Sequence, residues 1–240
     1  MIPSQHVQWL IENTTWFENL PASQLETKVP SCPGWVVEDV INHLSFGVGL
    51  AYPLAVASSP NIRPDRVFAN IDKPDVNPTG RAAVTTFATN MRSCIENFSA
   101  TDPKTPCWTY AGAGNASFWF RRAAIETALH RIDVEEALPG NHPPLSDDRT
   151  ADAISEAIEF ALPLAVKTAG QPAGCLAVSS PELGIELELG KGPKHVLVEG
   201  AGQDVLLSLW GRNRHRVTVS GDQKVAADWL SLVERAFAGR

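Results

Sequence analysis

Glu126 and His130 stand four residues apart in ASFWFRRAAIETALHRIDVEEALPG (116–140), a stretch whose apolar spacing predicts one long helix. Side chains four apart on a helix project from the same face. That face also carries Trp119, Ala123, Val134 and Ala137. A carboxylate and an imidazole inside an apolar stripe need partners, because burying unpaired polar groups is costly. Two readings meet that need. Either the pair binds a metal ion, or Glu126 pairs on the surface with Arg122 one turn earlier, beside a histidine satisfied elsewhere. A Glu-x3-His spacing does not choose between them.

A third candidate lies upstream. Residues 36–57 read as a helix with Val36, Val40, His43, Gly47 and Leu50 along one stripe. A lone histidine on such a stripe is commonly a satisfied core residue, so His43 matters only in company. Gly47 is expected to leave space beside the ring, and Asp39, one turn earlier, to orient it. Pro53 is expected to kink or end the helix. If this helix neighbours the 116–140 helix, His43, Glu126 and His130 bring together two nitrogens and a carboxylate. Three such donors with open positions suit a catalytic zinc. A non-haem iron site uses the same set. Other polar residues read as structural. Asp133 is expected mainly on the surface, paired with Arg131 or a lysine, with a place beside His130 as the alternative. Cys32 reads as a resting thiol, since no histidine or basic residue is near it in sequence. His142 and the turn residue Asp222 have no expected site role.

These residues need elements to position them. Helices are predicted at 3–20, 36–57, 80–99 and 116–140, joined by loops at 21–35, 58–80 and 100–115 that are rich in proline and glycine. Helical bundles build metal and cofactor sites from side chains on facing helices. A break with three prolines and a glycine, LPGNHPPLSDD (138–148), divides the chain into a helical domain, 1–142, and a second domain, 148–240. The second domain begins with a helix at 150–169. Short alternating runs at 175–179, 183–189, 194–198 and 216–220 read as strands, with helices at 202–210 and 223–238, the last with Phe237 on its apolar face. That mixture predicts a small α+β domain.

Composition narrows the function. The 240 residues carry a formal net charge of −7 and 44% apolar residues, and the basic residues are scattered apart from Arg212, Arg214 and Arg216 around His215. Nucleic-acid binding is not expected. No run approaches a membrane span, and the first residues have neither the basic region nor the apolar core of a signal peptide. Cys32, Cys94, Cys107 and Cys175 form no CxxC pair. The expectation is a cytoplasmic protein with reduced thiols.

Three stretches in order, VPSCPGWVVEDVINHL, FRRAAIETALHRIDVE and DVLLSLWGRNRHRVTVSGDQKVAADWL, resemble the mycothiol-dependent maleylpyruvate isomerase family of actinobacteria across essentially the whole chain. The resemblance implies an N-terminal DinB-like four-helix bundle and a C-terminal domain like a sterol carrier protein. It implies a metal, usually zinc, on His43, Glu126 and His130, and a role for Arg212 in activity and in holding the bound molecule. The thiol cosubstrate would be mycothiol, held between the domains, and the other partner a maleyl-type acid. Relatives often have a histidine where this chain has Ile125, a departure expected to alter the pocket. The same site would serve a thiol S-transferase that conjugates mycothiol to electrophiles. A metal- and thiol-binding module without turnover is the reading from a different class. The oligomeric state is not legible in the sequence.

Overall fold

The computed structural model describes residues 1–69, 71, 76–140, 142–193 and 195–237. Three sequence readings fall outside the described residues: the middle of the 58–80 loop, Lys194 at the start of a strand, and the Phe237 side chain on the closing helix. The chain divides into two compact units, Met1–His142 and Pro143–Arg240.

The first unit opens with helix α1, Pro3–Glu18. Helix α2, Val37–Leu44, comes next, continues without a break through a wide π-helical stretch, Ser45–Ala51, and runs on into α3, Tyr52–Val56. Pro53 therefore does not end the helix. A proline interrupts the regular i→i−4 ladder, and a wide turn just before it is one way to absorb the mismatch. Helix α4, Pro64–Val67, is a single turn with proline at its start. Helix α5 is Arg81–Ala100 and α6 is Ala116–Ala137.

Helix α6 is enclosed on almost every side. Trp119, Phe120, Ala123, Ala124, Ile125, Ala128, Leu129, Ile132 and Val134 are all buried. Helix α1 packs on both α5 and α6, α2 packs on α5 and α6, and the π-helical stretch packs on α5. The close approach needs Gly49, where an added Cβ would lie 2.8 Å from Asn90 Cβ and 3.2 Å from its carbonyl carbon. Beside it, Asn90 Nδ2 donates to Ser45 Oγ at 2.9 Å.

The predicted loop at 100–115 contains a hairpin instead. Strand β1, Pro106–Thr109, pairs antiparallel with β2, Gly112–Asn115. Strands this short, with glycine in half of one, carry little alternation to read. Packing decides the outcome: the carbonyl of Trp108 accepts from Trp119 Nε1 at 2.7 Å, and Trp108, Tyr110 and Trp119 form one aromatic cluster.

The second unit begins with α7, Asp147–Glu156, which passes through another π-helical stretch, Ala157–Ala161, into α8, Leu162–Ala169. Pro163 stands in the first turn of α8, repeating the arrangement around Pro53. Strands β3 (Gly174–Ser180), β4 (Ile185–Lys191) and β5 (His195–Glu199) come after it. Then come α9 (Gly202–Leu209), β6 (Thr218–Gly221), α10 (Gln223–Leu230) and α11 (Leu232–Phe237). Among the described residues four strands form one sheet in the order β4-β3-β5-β6, parallel between β3 and β5 and antiparallel elsewhere. Leu176, Val178, Val196 and Val198 are buried on one face, and α9 and α10 pack against this sheet. Asp222 is structural, as expected: its Oδ1 accepts from the backbone N–H groups of Lys224 and Val225 at the start of α10.

Candidate metal centre

Helices α2 and α6 bring His43, Glu126 and His130 together. Glu126 Oε1 lies 3.2 Å from His43 Nε2 and 3.6 Å from His130 Nε2. The two imidazole rings are 4.9 Å apart and nearly perpendicular. All three donor atoms lie within 4.8 Å of one another. Donors bound at 2.0–2.1 Å in a tetrahedron are separated by about 3.3 Å, so small side-chain rotations suffice to close on one ion. The donor chemistry and spacing therefore fit a divalent metal.

The surroundings correct several readings of the sequence. Arg122 does pair with Glu126, donating from Nη2 to Oε2, but inside the protein, with only 2% of the arginine exposed. One Glu126 oxygen faces Arg122 and the other faces the histidines. Burial pushes the Glu126 carboxyl upward, yet Arg122, followed by His130 and His43, holds it well below the usual carboxylate value. Tyr52 is buried near Arg122 and Glu126, and burial first, then the Glu126 charge, keeps its phenol neutral.

Asp133 is 1% exposed and lies behind His130, not on the surface. Its Oδ2 is 3.0 Å from His130 Nδ1, in an ion-pair contact that is not aligned as a hydrogen bond. Burial works against a charged His130, but Asp133, Cys32 and Glu126 together outweigh it and hold the ring well above the usual imidazole value. Asp133 occupies the place from which a second carboxylate orients a ligating histidine. The sequence signal for it was present, since Asp133 is one turn after His130. Arg131, the expected partner, instead bonds Glu135 at 2.7 Å. Asp39 does not orient His43: it caps its own helix by accepting from Val36 N at 2.9 Å.

The loop before α2 adds two residues that spacing alone did not suggest. Residues 27–36 form a tight structure in which Cys32 N bonds Val29 O, Trp35 N bonds Cys32 O, and Val37 N bonds Thr27 O. Gly34 stands at φ +87°, a conformation the turn needs and other residues rarely adopt. The turn places the Trp35 indole beside both rings, stacked near His130 at 6.1 Å and tilted against His43 at 5.2 Å. It also sets Cys32 Sγ 3.5 Å from Asp133 Oδ2. The histidine that sequence distance ruled out as a neighbour of Cys32 reaches it through space.

Gly47 is not what makes room for His43, because an added Cβ would sit 3.9 Å from its Cε1, an ordinary contact. Ile125 is fully buried in the core of α6. His142 Nδ1 stands 4.0 Å from Glu135 Oε1, away from the three donors. Arg212 lies in the second unit, in the turn after α9, where its Nη1 donates to the Trp210 carbonyl at 3.2 Å and its backbone N–H to that of Leu207 at 2.8 Å.

A family model described as the mycothiol maleylpyruvate isomerase N-terminal domain matches residues 11–135. The chain belongs to this family. The matched stretch contains His43, Glu126 and His130 and ends before Arg212. The fold is similar to that in the crystal structure of the mycothiol-dependent maleylpyruvate isomerase, with a TM-score of 0.69 and 14% identity over 92% of this chain and 93% of that one. It is equally similar to a histidine-to-alanine mutant of that isomerase, with a TM-score of 0.68 and 13% identity over the same shares. No curated protein matches the chain. Among the described residues no helix is long and apolar enough to cross a membrane.

Proposed function

We propose that this chain is a metal-dependent enzyme that uses mycothiol as cosubstrate and isomerises a cis, maleyl-type acid to its trans form. The observation that carries the reading is the meeting of His43 from α2 with Glu126 and His130 from α6, supported by membership of the family. Zinc suits this donor set, which a non-haem iron site also uses. A divalent cation held there supplies the positive charge that stabilises a thiolate, the nucleophilic form of a thiol.

The protein's own residues would divide the remaining work. Arg122 keeps Glu126 ionised, and Asp133 fixes the side of the His130 ring turned away from the other donors. The Trp35 indole packs beside both imidazoles. In the reaction, the thiolate sulfur adds to one carbon of the cis double bond, and the electron pair moves into the adjoining carbonyl as an enolate. The new single bond rotates. Expelling the thiolate then restores the double bond in the trans geometry, with no net gain of protons or electrons. Arg212 would hold a substrate carboxylate, for which a guanidinium fork is well matched. The two units would correspond to a DinB-like four-helix bundle and a sterol-carrier-like domain.

The test is metal analysis of the purified protein and of His43→Ala, then ultraviolet assay with mycothiol and maleylpyruvate. The reading requires bound metal, its loss in His43→Ala, and isomerisation by the wild type only. Turnover of an electrophile such as monobromobimane with no isomerisation would replace the isomerase by an S-transferase. A metal-free wild type would remove the site altogether.

A further inference from the structure

We propose that the second unit carries a metal site of its own, formed by Cys175, Glu188 and His195 on the face of the sheet opposite its buried side. This proposal is independent of the His43 centre and of the reaction assigned to it.

The three residues come from three adjacent strands. Cys175 is on the central strand β3 and stands directly opposite His195 of β5. On the other side it stands opposite Gly190 of β4, two residues beyond Glu188. Strands β4 and β5 are separated by β3, so their backbones are about 9–10 Å apart. Even so, Glu188 Oε1 and His195 Nδ1 approach to 3.8 Å. Both side chains must lean inward over the central strand to meet. They meet above Cys175, whose Sγ is within 4.8 Å of each of the other donor atoms.

The burial pattern agrees with this arrangement. Glu188 and His195 are 59% and 63% exposed as side chains, whereas Cys175 beneath them is 4% exposed. A sulfur recessed under two exposed polar side chains is accessible to an ion that those side chains deliver. The exposed pair can rotate to close on an ion at little cost, while the sheet fixes the sulfur. Cys175 also contacts the Gly192 carbonyl at 3.6 Å.

The donor set specifies the kind of ion. One thiolate, one imidazole and one carboxylate suit zinc and similar borderline ions. Magnesium and calcium, which require oxygen ligands, do not fit. Three protein donors leave one tetrahedral position for water. The competing account is a solvated Glu188–His195 pair above an inert buried thiol.

The test uses the full chain with His43→Ala and Glu126→Gln together, which removes the first centre. Cobalt(II) is titrated in as a spectroscopic stand-in for zinc, and zinc affinity is measured by competition with a chromophoric chelator. The expected result is one equivalent of cobalt with a sulfur-to-cobalt charge-transfer band. Adding Cys175→Ser should abolish that band, and adding Cys32→Ser should leave it intact. Adding His195→Ala should weaken zinc binding by more than the roughly 10–100-fold that losing a supporting residue costs at a metal site. Circular dichroism of each variant verifies that the sheet is intact. The proposal is overturned if no thiolate band forms, if the band survives Cys175→Ser, or if zinc affinity is unchanged by His195→Ala. The loss of His43 and Glu126, with Cys32→Ser as the control for the thiol beside Asp133, separates this outcome from that of the first centre.

Discussion

Arg122→Met removes the buried cation that faces Glu126 while keeping much of the side-chain volume. Removing one partner of a buried ion pair costs about 3–5 kcal/mol. The Glu126 side chain is 20% exposed, so solvent offsets part of the loss and the low end, about 3 kcal/mol, applies. At roughly 2–4 °C per kcal/mol for a chain of this size, the metal-free variant should melt about 6–12 °C below wild type. Zinc should act in the opposite direction. A guanidinium ~6 Å from a bound ion repels it by roughly 3 kcal/mol per unit charge at an effective dielectric constant of 20. For a divalent ion that is about 6 kcal/mol, and recovering even a quarter of it on deletion would tighten zinc binding about tenfold. Free zinc at about 100 times its dissociation constant adds some 2.7 kcal/mol of stability, which restores most of the loss. The assays are thermal melting by circular dichroism, with chelator and with zinc, and chelator competition for affinity. If metal-free Arg122→Met melts within a degree of wild type, Arg122 does not stabilise the fold through charge on Glu126; if its zinc affinity falls, keeping Glu126 ionised outweighs repulsion of the ion.

Stability and metal binding should both depend on pH. With its folded value raised, the His130 contribution to the metal-free protein is full below about 6.5 and is lost as pH rises through that raised value. With its folded value lowered, the Glu126 contribution is present above about 4.5 and is lost as pH falls through the lowered value. Metal binding needs a neutral His130, so zinc should displace a proton near pH 7, seen by calorimetry in buffers of different ionisation enthalpy. Asp133→Asn should weaken zinc binding roughly 10–100-fold without loss of fold, as chelator competition and circular dichroism would show. Gly49→Ala should cost about 1–3 kcal/mol in chemical denaturation, because its Cβ meets Asn90. Gly47→Ala has space and a helical setting, so it should be neutral or stabilise by up to about 1 kcal/mol.

The part of the site legible in the sequence is the part that local periodicity dictates. The i,i+4 relation of Glu126 and His130 is a property of one helix and is read directly. The partnership with His43 depends on α2 docking against α6, which the shared apolar character of the two stripes suggests. Asp133 and Cys32 show where such reading fails. A charged residue between buried neighbours reads as surface until α6 is seen to be enclosed on nearly all sides. Cys32 reads as isolated because its histidine is 98 residues away in sequence. The hairpin at 106–115 is missed for a related reason, since aromatic contacts to α6 fix it more than its own alternation does. The π-helical stretches before Pro53 and Pro163 show that a proline in a periodic run can be absorbed by a wider turn.

The separation of the ligands along the chain has a mechanical consequence. Glu126 and His130 are neighbours on α6 before any tertiary structure forms, whereas His43 is 83 residues from Glu126. A bond from an ion to all three is therefore a cross-link that closes a loop of that length. In the chain-entropy treatment of cross-links such a closure is worth about 4–5 kcal/mol, as much as a disulfide spanning the same residues. Unlike a disulfide, this staple needs no oxidant and can be withdrawn by a chelator. Metal supply would then set how firmly α2 is held to α6.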